Sequence, residues 1–183
     1  KWEMKNRPLP DKIITVEEIA KKIIIKNSNG VYPGIENSCA LRYKNMNFNQ
    51  TNTRNTSKKI LIALEGISDV YHLVNFVLNQ LCKTKNYEII IRPHPVLPMS
   101  KINKNINLDY TKYNNISIST NNNINDDLEQ VSIVIYREST VALEALAFGL
   151  PVICFVQHPI INFDPLFELN YFKWNITRAQ KLE

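Results

Sequence analysis

The sequence is poor in cysteine. Cys39, Cys82 and Cys154 are its only three, an odd set without metal-ligand spacing. That excludes a disulfide framework and argues for a reducing cytosol. Cys82 and Cys154 sit among apolar neighbours and read as small core residues. No apolar run approaches the roughly 20 residues that cross a bilayer. The opening KWEMKNRPLPDK has no signal-peptide hydrophobic segment. The sequons at Asn49, Asn55, Asn115 and Asn175 therefore carry no weight. There is no initiator Met, and the closing Leu-Glu has the look of a cloning scar, so the chain reads as an excised piece of something longer. RNA- and DNA-binding signatures, internal repeats and Asp/His/Cys clusters at ligand spacing are all missing. Neither nucleic acid nor a bound metal is expected.

What is present suits a globular domain: 183 residues, 44% hydrophobic and 21% charged. The formal charge is +5 and the pI about 9.1. Lysines and arginines are dispersed, as on a solvated surface. A peripheral contact with the inner face of the cell membrane is the other use of such a charge.

Lys12 to Val16 reads as a short strand followed by a helix, with Thr15 and Glu18 spaced as a capping box. Ser38 to Tyr43 reads as extended, and Asn45 to Lys58 as an Asn-rich loop. From Lys59 the rhythm changes. Near-continuous apolar runs at residues 59–64, 87–92, 131–136 and 150–156 predict buried strands. Asn114 to Thr120 adds another. Between them lie helical patterns, with Ser68 as the N-cap of the first and Gly149 at the end of the last. The stretch from Phe163 to Gln180 reads as loop and helix. Strands alternating with helices predict an α/β, Rossmann-like doubly wound, mostly parallel sheet. The expected organisation is an approach segment, 1–58, leading into a nucleotide-sugar-binding domain, 59–183.

Two stretches carry candidate chemistry. YEIIIRPHP ends a strand in Arg92 and His94. Pro93 stops the ladder and holds Arg92 extended, so His94 stands just beyond the sheet edge. The carboxyl end of a parallel strand is where such sheets bind ligands. His94 is either a backbone-bonded strand-end histidine or a ligand contact, and Arg92 either a surface cation or an anion binder. In IVIYRESTVALEALAFGLPVICF, Ser139 or Thr140 falls at a helix start. There they either cap the helix or help bind a phosphate. Glu144 lies one turn inward on the face of Thr140. Glu65 and Gly66 close an earlier strand at the same edge, and His158 ends the last apolar run. These three are further site candidates.

The stretch STVALEALAFGLPVI resembles the donor-nucleotide motif in the C-terminal halves of GT-B glycosyltransferases. With RPHP, it is similar to the pattern in bacterial polysialyltransferases and the glycerophosphotransferases of wall teichoic acid synthesis. The resemblance covers roughly Pro10 to Val156. It implies one half of a GT-B fold in capsule or other surface polysaccharide biosynthesis, cytoplasmic or peripheral to the membrane's inner face. It implies Arg92, His94, Ser139 and Thr140 as donor-phosphate binders, His94 as the catalytic contact and Glu144 as the ribose ligand. The implied donor is a nucleotide-activated sugar, with no cofactor. The implied partner is an N-terminal acceptor-binding half, without which the fragment is expected to bind but not turn over. A non-catalytic nucleotide or phosphosugar module, or a GT-B-like sugar-nucleotide epimerase, are the alternatives. Departures are visible: Tyr136 stands near where many retaining enzymes carry an acid, and LEGIS has one glycine where many relatives have a pair.

Overall fold

The continuous apolar runs become the middle of a parallel sheet. The computed structural model describes residues 8–32, 34–40, 57–157 and 163–182. The chain divides into two units, Lys1–Asn47 and Phe48–Glu183.

The first unit contains strand β1 (Ile13–Thr15), helix α1 (Glu18–Ser28) and strand β2 (Ile35–Asn37). The strands pair in parallel, Ile13 opposite Ile35. The expected capping box does not form. Thr15 ends β1, and its hydroxyl donates to the Asn37 side chain at 2.8 Å. Glu17 occupies the N-cap position of α1 and makes no side-chain cap bond. The Glu18 carboxylate accepts from Asn37 Nδ2, so both members of the expected box turn to β2. Residues 38–40, expected to be extended, form no strand; β2 lies just before them. The rest of that segment, 41–43, and the Asn-rich loop from 45 to 56 lie outside the described residues.

The second unit is a sheet of six strands: β3 (Lys59–Ala63), β4 (Glu88–Arg92), β5 (Ile116–Ile118), β6 (Ile133–Tyr136), β7 (Val152–Phe155) and β8 (Lys173–Ile176). Their order is β5-β4-β3-β6-β7-β8, and every pairing is parallel. Counted from β3 this is 3-2-1-4-5-6, the doubly wound order of the Rossmann fold. The expected fold class is therefore the observed one. Helix α2 (Tyr71–Leu81) follows β3, and α3 (Met99–Ile102), α4 (Ile124–Leu128) and α5 (Val141–Ala147) fill later connections.

Strand alternation explains why both faces are covered. Ile60, Ile62, Ile89, Ile91 and Ile135 pack with Leu73, Val74, Val77 and Leu78 of α2 in one core cluster. The intervening Leu61, Ile90 and Val134 are buried outside that cluster. Each such side chain contributes about 1.5–3 kcal/mol when fully buried. Gly149, at φ 75°, ends α5 in the left-handed conformation that glycine adopts without strain.

Two further expectations are corrected. Ser68 does not cap α2: residues Ser68–Val70 form a 3₁₀ turn, and Val70 precedes the helix without a side-chain cap. The tail, expected as loop and helix, contributes β8. It is an edge strand, with Trp174 57% exposed, so it lacks the apolar run that marks the inner strands. No described helix is long and apolar enough to cross a membrane.

Candidate functional site

The strand order fixes where a ligand crevice belongs. The sheet reverses direction of growth between β3 and β6, and doubly wound sheets bind ligands outside the carboxyl ends at that switch point. The residues there are Glu65 and Gly66 after β3, and Arg137 to Thr140 after β6. His94, after β4, is one strand away on the same edge.

A buried ion-pair cluster spans the switch point. Arg137 donates from Nε to Glu65 Oε1, from Nη1 to Gln157 Oε1 at 2.7 Å and from Nη2 to Asp69 Oδ1 at 2.8 Å. Gln157 also donates to Asp69 at 3.4 Å. The side chains of Arg137 and Glu65 are only 3% and 8% exposed. Glu65 Oε2 is buried without a hydrogen-bond partner among the described residues. The cluster thus sets two carboxylates against one guanidinium. Burial pushes the Glu65 carboxyl above its ordinary range, and Arg137 only partly offsets it. Asp69 goes the other way: the Arg137 hydrogen bond holds it below the usual range.

The Arg-Pro-His-Pro turn closes on itself. Leu97 N–H donates to the His94 carbonyl at 2.9 Å, and Val96 N–H donates to His94 Nδ1 at 3.3 Å. Arg92 faces away from the switch point and into a carboxylate. Its Nη1 pairs with Asp127 and reaches the Asn121 carbonyl at 3.1 Å; Nη2 reaches the Asn122 carbonyl at 3.3 Å. The Asp127 side chain is 2% exposed. It also accepts from Ser119 at 2.7 Å and from Asn121 Nδ2 at 2.7 Å. These bonds tie the 119–122 loop and α4 to the end of β4. Between that loop and the His94 turn lies a cleft of about 410 Å³, lined among others by His94, Pro95, Ser119, Asn121 and Asn122.

The predicted phosphate and ribose residues lie at the start of α5. Thr140 is exposed and occupies the N-cap position without a side-chain cap bond. Ser139 is 6% exposed. Its hydroxyl accepts from Val141 N at 3.4 Å, and its carbonyl accepts from Ala142 N at 3.2 Å. Ser139 therefore takes up first-turn donors itself, as in the capping alternative of the two that its place in the sequence leaves open. Glu144, expected to reach a ribose, is buried at 6% exposure. His158 lies outside the described residues. His94, Ser139, Thr140 and Glu65 share the carboxyl edge, but the cleft beside His94 is lined from the β4 and β5 side and not by Ser139.

A second buried cluster is structural. Tyr136 donates to Asp164 at 2.7 Å, and Lys173 pairs with Asp164 while donating to the Leu166 carbonyl at 2.8 Å. It anchors the 163–169 segment to β6 and β8. Burial raises the Tyr136 phenol far above its ordinary value and pushes the Cys154 thiol up to about 12. Neither is an activated nucleophile. Among the described residues no group of three or more His, Cys, Asp or Glu is placed to hold a metal ion.

Sequence reasoning passed over Arg137, Asp69, Gln157 and Asp127. Asp127 has near partners in Ser119 and Asn121, but its pairing with Arg92 and those among Arg137, Asp69 and Gln157 span 20 to 88 residues, where local spacing carries no signal. The topology carries one. A carboxylate after β3 and a cation after β6 must meet if those strands are neighbours.

No family model and no curated protein sequence matches the chain. Among solved structures it is similar to KpsC of Thermosulfurimonas dismutans, described as a beta Kdo 2,7 transferase, with 18% identity and a TM-score of 0.40. The match covers 70% of this chain and 42% of that one, so it spans less than half of that protein's length.

Proposed function

We propose that this chain is the donor-nucleotide-binding part of a glycosyltransferase, or of a related polymer transferase, acting in surface polysaccharide biosynthesis. The observation that carries the reading is the switch point itself: β4, β3 and β6 are adjacent and parallel, and bring His94, Glu65-Gly66 and Arg137 to Thr140 to one edge. The resemblance of RPHP and STVALEALAFGLPVI to donor-site motifs supports it.

In this reading the reaction breaks the bond between a sugar carbon and a phosphate oxygen, and negative charge grows on the departing phosphate. Donors fixed in advance around that oxygen lower the barrier, by about 3–4 kcal/mol for a well-placed group. His94 is the proposed side-chain donor and Thr140 the exposed hydroxyl at the start of α5. Arg92 acts by shaping the cleft wall through Asp127. Arg137 acts by fixing the loop that leads to Ser139. Glu144 reaches a ribose only if α5 opens toward the ligand. The acceptor site and the general base belong to another part of the transferase. The proposed setting is the cytoplasmic side of the membrane.

The test is a titration of CMP, CDP, UDP and GDP against the chain, followed by backbone amide NMR and calorimetry. Binding in the micromolar to millimolar range is expected, about 4–8 kcal/mol, and it weakens with salt. His94→Ala should cost about 0.5–1.5 kcal/mol, the value of a hydrogen bond from a neutral donor. Sugar transfer should not occur without an acceptor-binding half. If none of the nucleotides moves any amide at the carboxyl edge, the reading is wrong. Binding that never supports transfer, even beside a supplied acceptor half, would leave a non-catalytic nucleotide module.

A further inference from the structure

We propose that His94 acts as a neutral hydrogen-bond donor through Nε2, turned into the cleft between its own turn and the 119–122 loop, and that Gly66 is the positioning residue that holds it there. The identity of the ligand rests on the transferase reading; the orientation of the ring does not.

One edge of the ring is occupied. Val96 N–H donates to Nδ1 at 3.3 Å, so Nδ1 is the acceptor and the proton of the neutral ring sits on Nε2. The same edge lies against Gly66. A Cβ added at Gly66 would come within 3.0 Å of Nδ1, 3.3 Å of Cε1 and 2.9 Å of Val96 Cγ2. A side chain at this position would push the imidazole and Val96 out of the places they hold. Pro93 and Pro95 fix the backbone on both sides of His94, so a displaced ring cannot be rescued by easy movement of the main chain. The Nδ1–Cε1 edge being spent, the Nε2 corner is what remains for a ligand. His94 lines the 410 Å³ cleft together with Ser119, Asn121 and Asn122. Asp127 and Arg92 hold that wall in place without offering a free charge to it. The ligand atom this site suits is an oxygen acceptor, such as a nucleotide's phosphate oxygen or base carbonyl, met by a single neutral N–H. Gly66 was a candidate contact in the sequence; the geometry gives it an indirect role.

The experiment uses the full chain labelled with ¹⁵N at histidine and the backbone, in mildly alkaline buffer. The His94 ring signals of the wild type should show a bare Nδ1 and a protonated Nε2. The nucleotide among CMP, CDP, UDP and GDP that binds best should shift the Nε2–H signal and the Asn121 and Asn122 backbone amides. In Gly66→Ala the single ring form should be lost, and affinity should fall about tenfold, with amide dispersion elsewhere unchanged. Should that variant fail to fold, Gly66→Ala combined with Val96→Ala removes the Cγ2 contact and leaves the clash with the ring. A protonated Nδ1 in the folded wild type overturns the proposal. So do nucleotide shifts confined to Ser139 and Thr140, or a folded Gly66→Ala protein with wild-type ring signals and affinity. A wild type with the Nε2–H ring and no response to any nucleotide supports the seat for His94 and refutes the transferase reading, so the two failures are distinguishable.

Discussion

Two arginine–carboxylate pairs stand at the same edge of one sheet and differ in how fully they are satisfied. Beyond β4, Arg92 meets Asp127, whose oxygens also take donors from Ser119 and Asn121. At the switch point, each guanidinium nitrogen of Arg137 donates a hydrogen bond, but its partner Glu65 keeps a buried oxygen that meets no donor among the described residues. Asp69 adds a second negative charge to the same guanidinium. A buried charge is tolerable when every lone pair is met and costly when one is not. The first pair is a closed tie that shapes a cleft wall. The second is a cluster with an unmet demand, located where a doubly wound sheet takes its ligand.

That contrast can be broken most forcefully at Arg137. Arg137→Met removes the cation that Glu65 and Asp69 share and strands both, so a loss of about 3–5 kcal/mol is expected. Arg92→Met strands Asp127 with the Ser119 and Asn121 donors still in place, and about 1.5–3 kcal/mol is expected. Urea unfolding of the two variants decides the order. Equal losses would mean that the extra donors around Asp127 do not matter.

Glu65→Gln tests the open pair through pH. The folded state raises the Glu65 pKa, so it holds the proton more tightly than the unfolded chain does. The resulting stability is complete below the ordinary value of 4.5 and is lost as pH rises through the folded value. Glutamine keeps an acceptor for Arg137 and cannot ionise. Its stability should lie within about 1 kcal/mol of wild type at neutral pH and lack the decline above 4.5. A variant whose stability still declines across that window would show that another group is responsible.

The same comparison shows what could be read from the sequence. Ile60 to Ala63, Ile89 to Ile91 and Ile133 to Tyr136 announce inner parallel strands because both faces are buried and the apolar runs are unbroken. β8 does not announce itself, because its four residues hold no apolar run: Trp174 and Asn175 are exposed at the sheet edge and Ile176 is the buried apolar residue. His94 was legible from its prolines, and its place at the carboxyl edge followed from the strand before it. Arg92 was legible as a strand-end cation, but Asp127, 35 residues on, is what its guanidinium meets. Ser139 was legible at a helix start, yet whether its hydroxyl serves a ligand or its own first turn is set by rotamer and burial. Glu65 and Arg137 lie 72 residues apart and pair only once the strand order is known. Local chemistry is written locally; pairings across the switch point are written in the topology.

The smallest effect is expected at Asp69, the outer member of the switch-point cluster. Its side chain is 41% exposed, so water and salt screen its charge in a way that Glu65 does not share. Asp69→Asn leaves an amide oxygen to accept from Arg137 Nη2 and removes one negative charge. A loss of about 0.2–1 kcal/mol is expected, shrinking further at high salt. The low Asp69 pKa gives the sign: its contribution is present above the ordinary value of 3.8 and fades as pH falls through its folded value, so wild type and variant should converge in acid. The substitution also leaves Arg137 paired with Glu65 alone among the described carboxylates that bridge to it, as Arg92 is paired with Asp127. If Asp69→Asn costs as much as Arg137→Met in urea unfolding at neutral pH, the exposed carboxylate is the true anchor of the cluster. The contrast between a closed pair and an open one would then rest on the wrong residue.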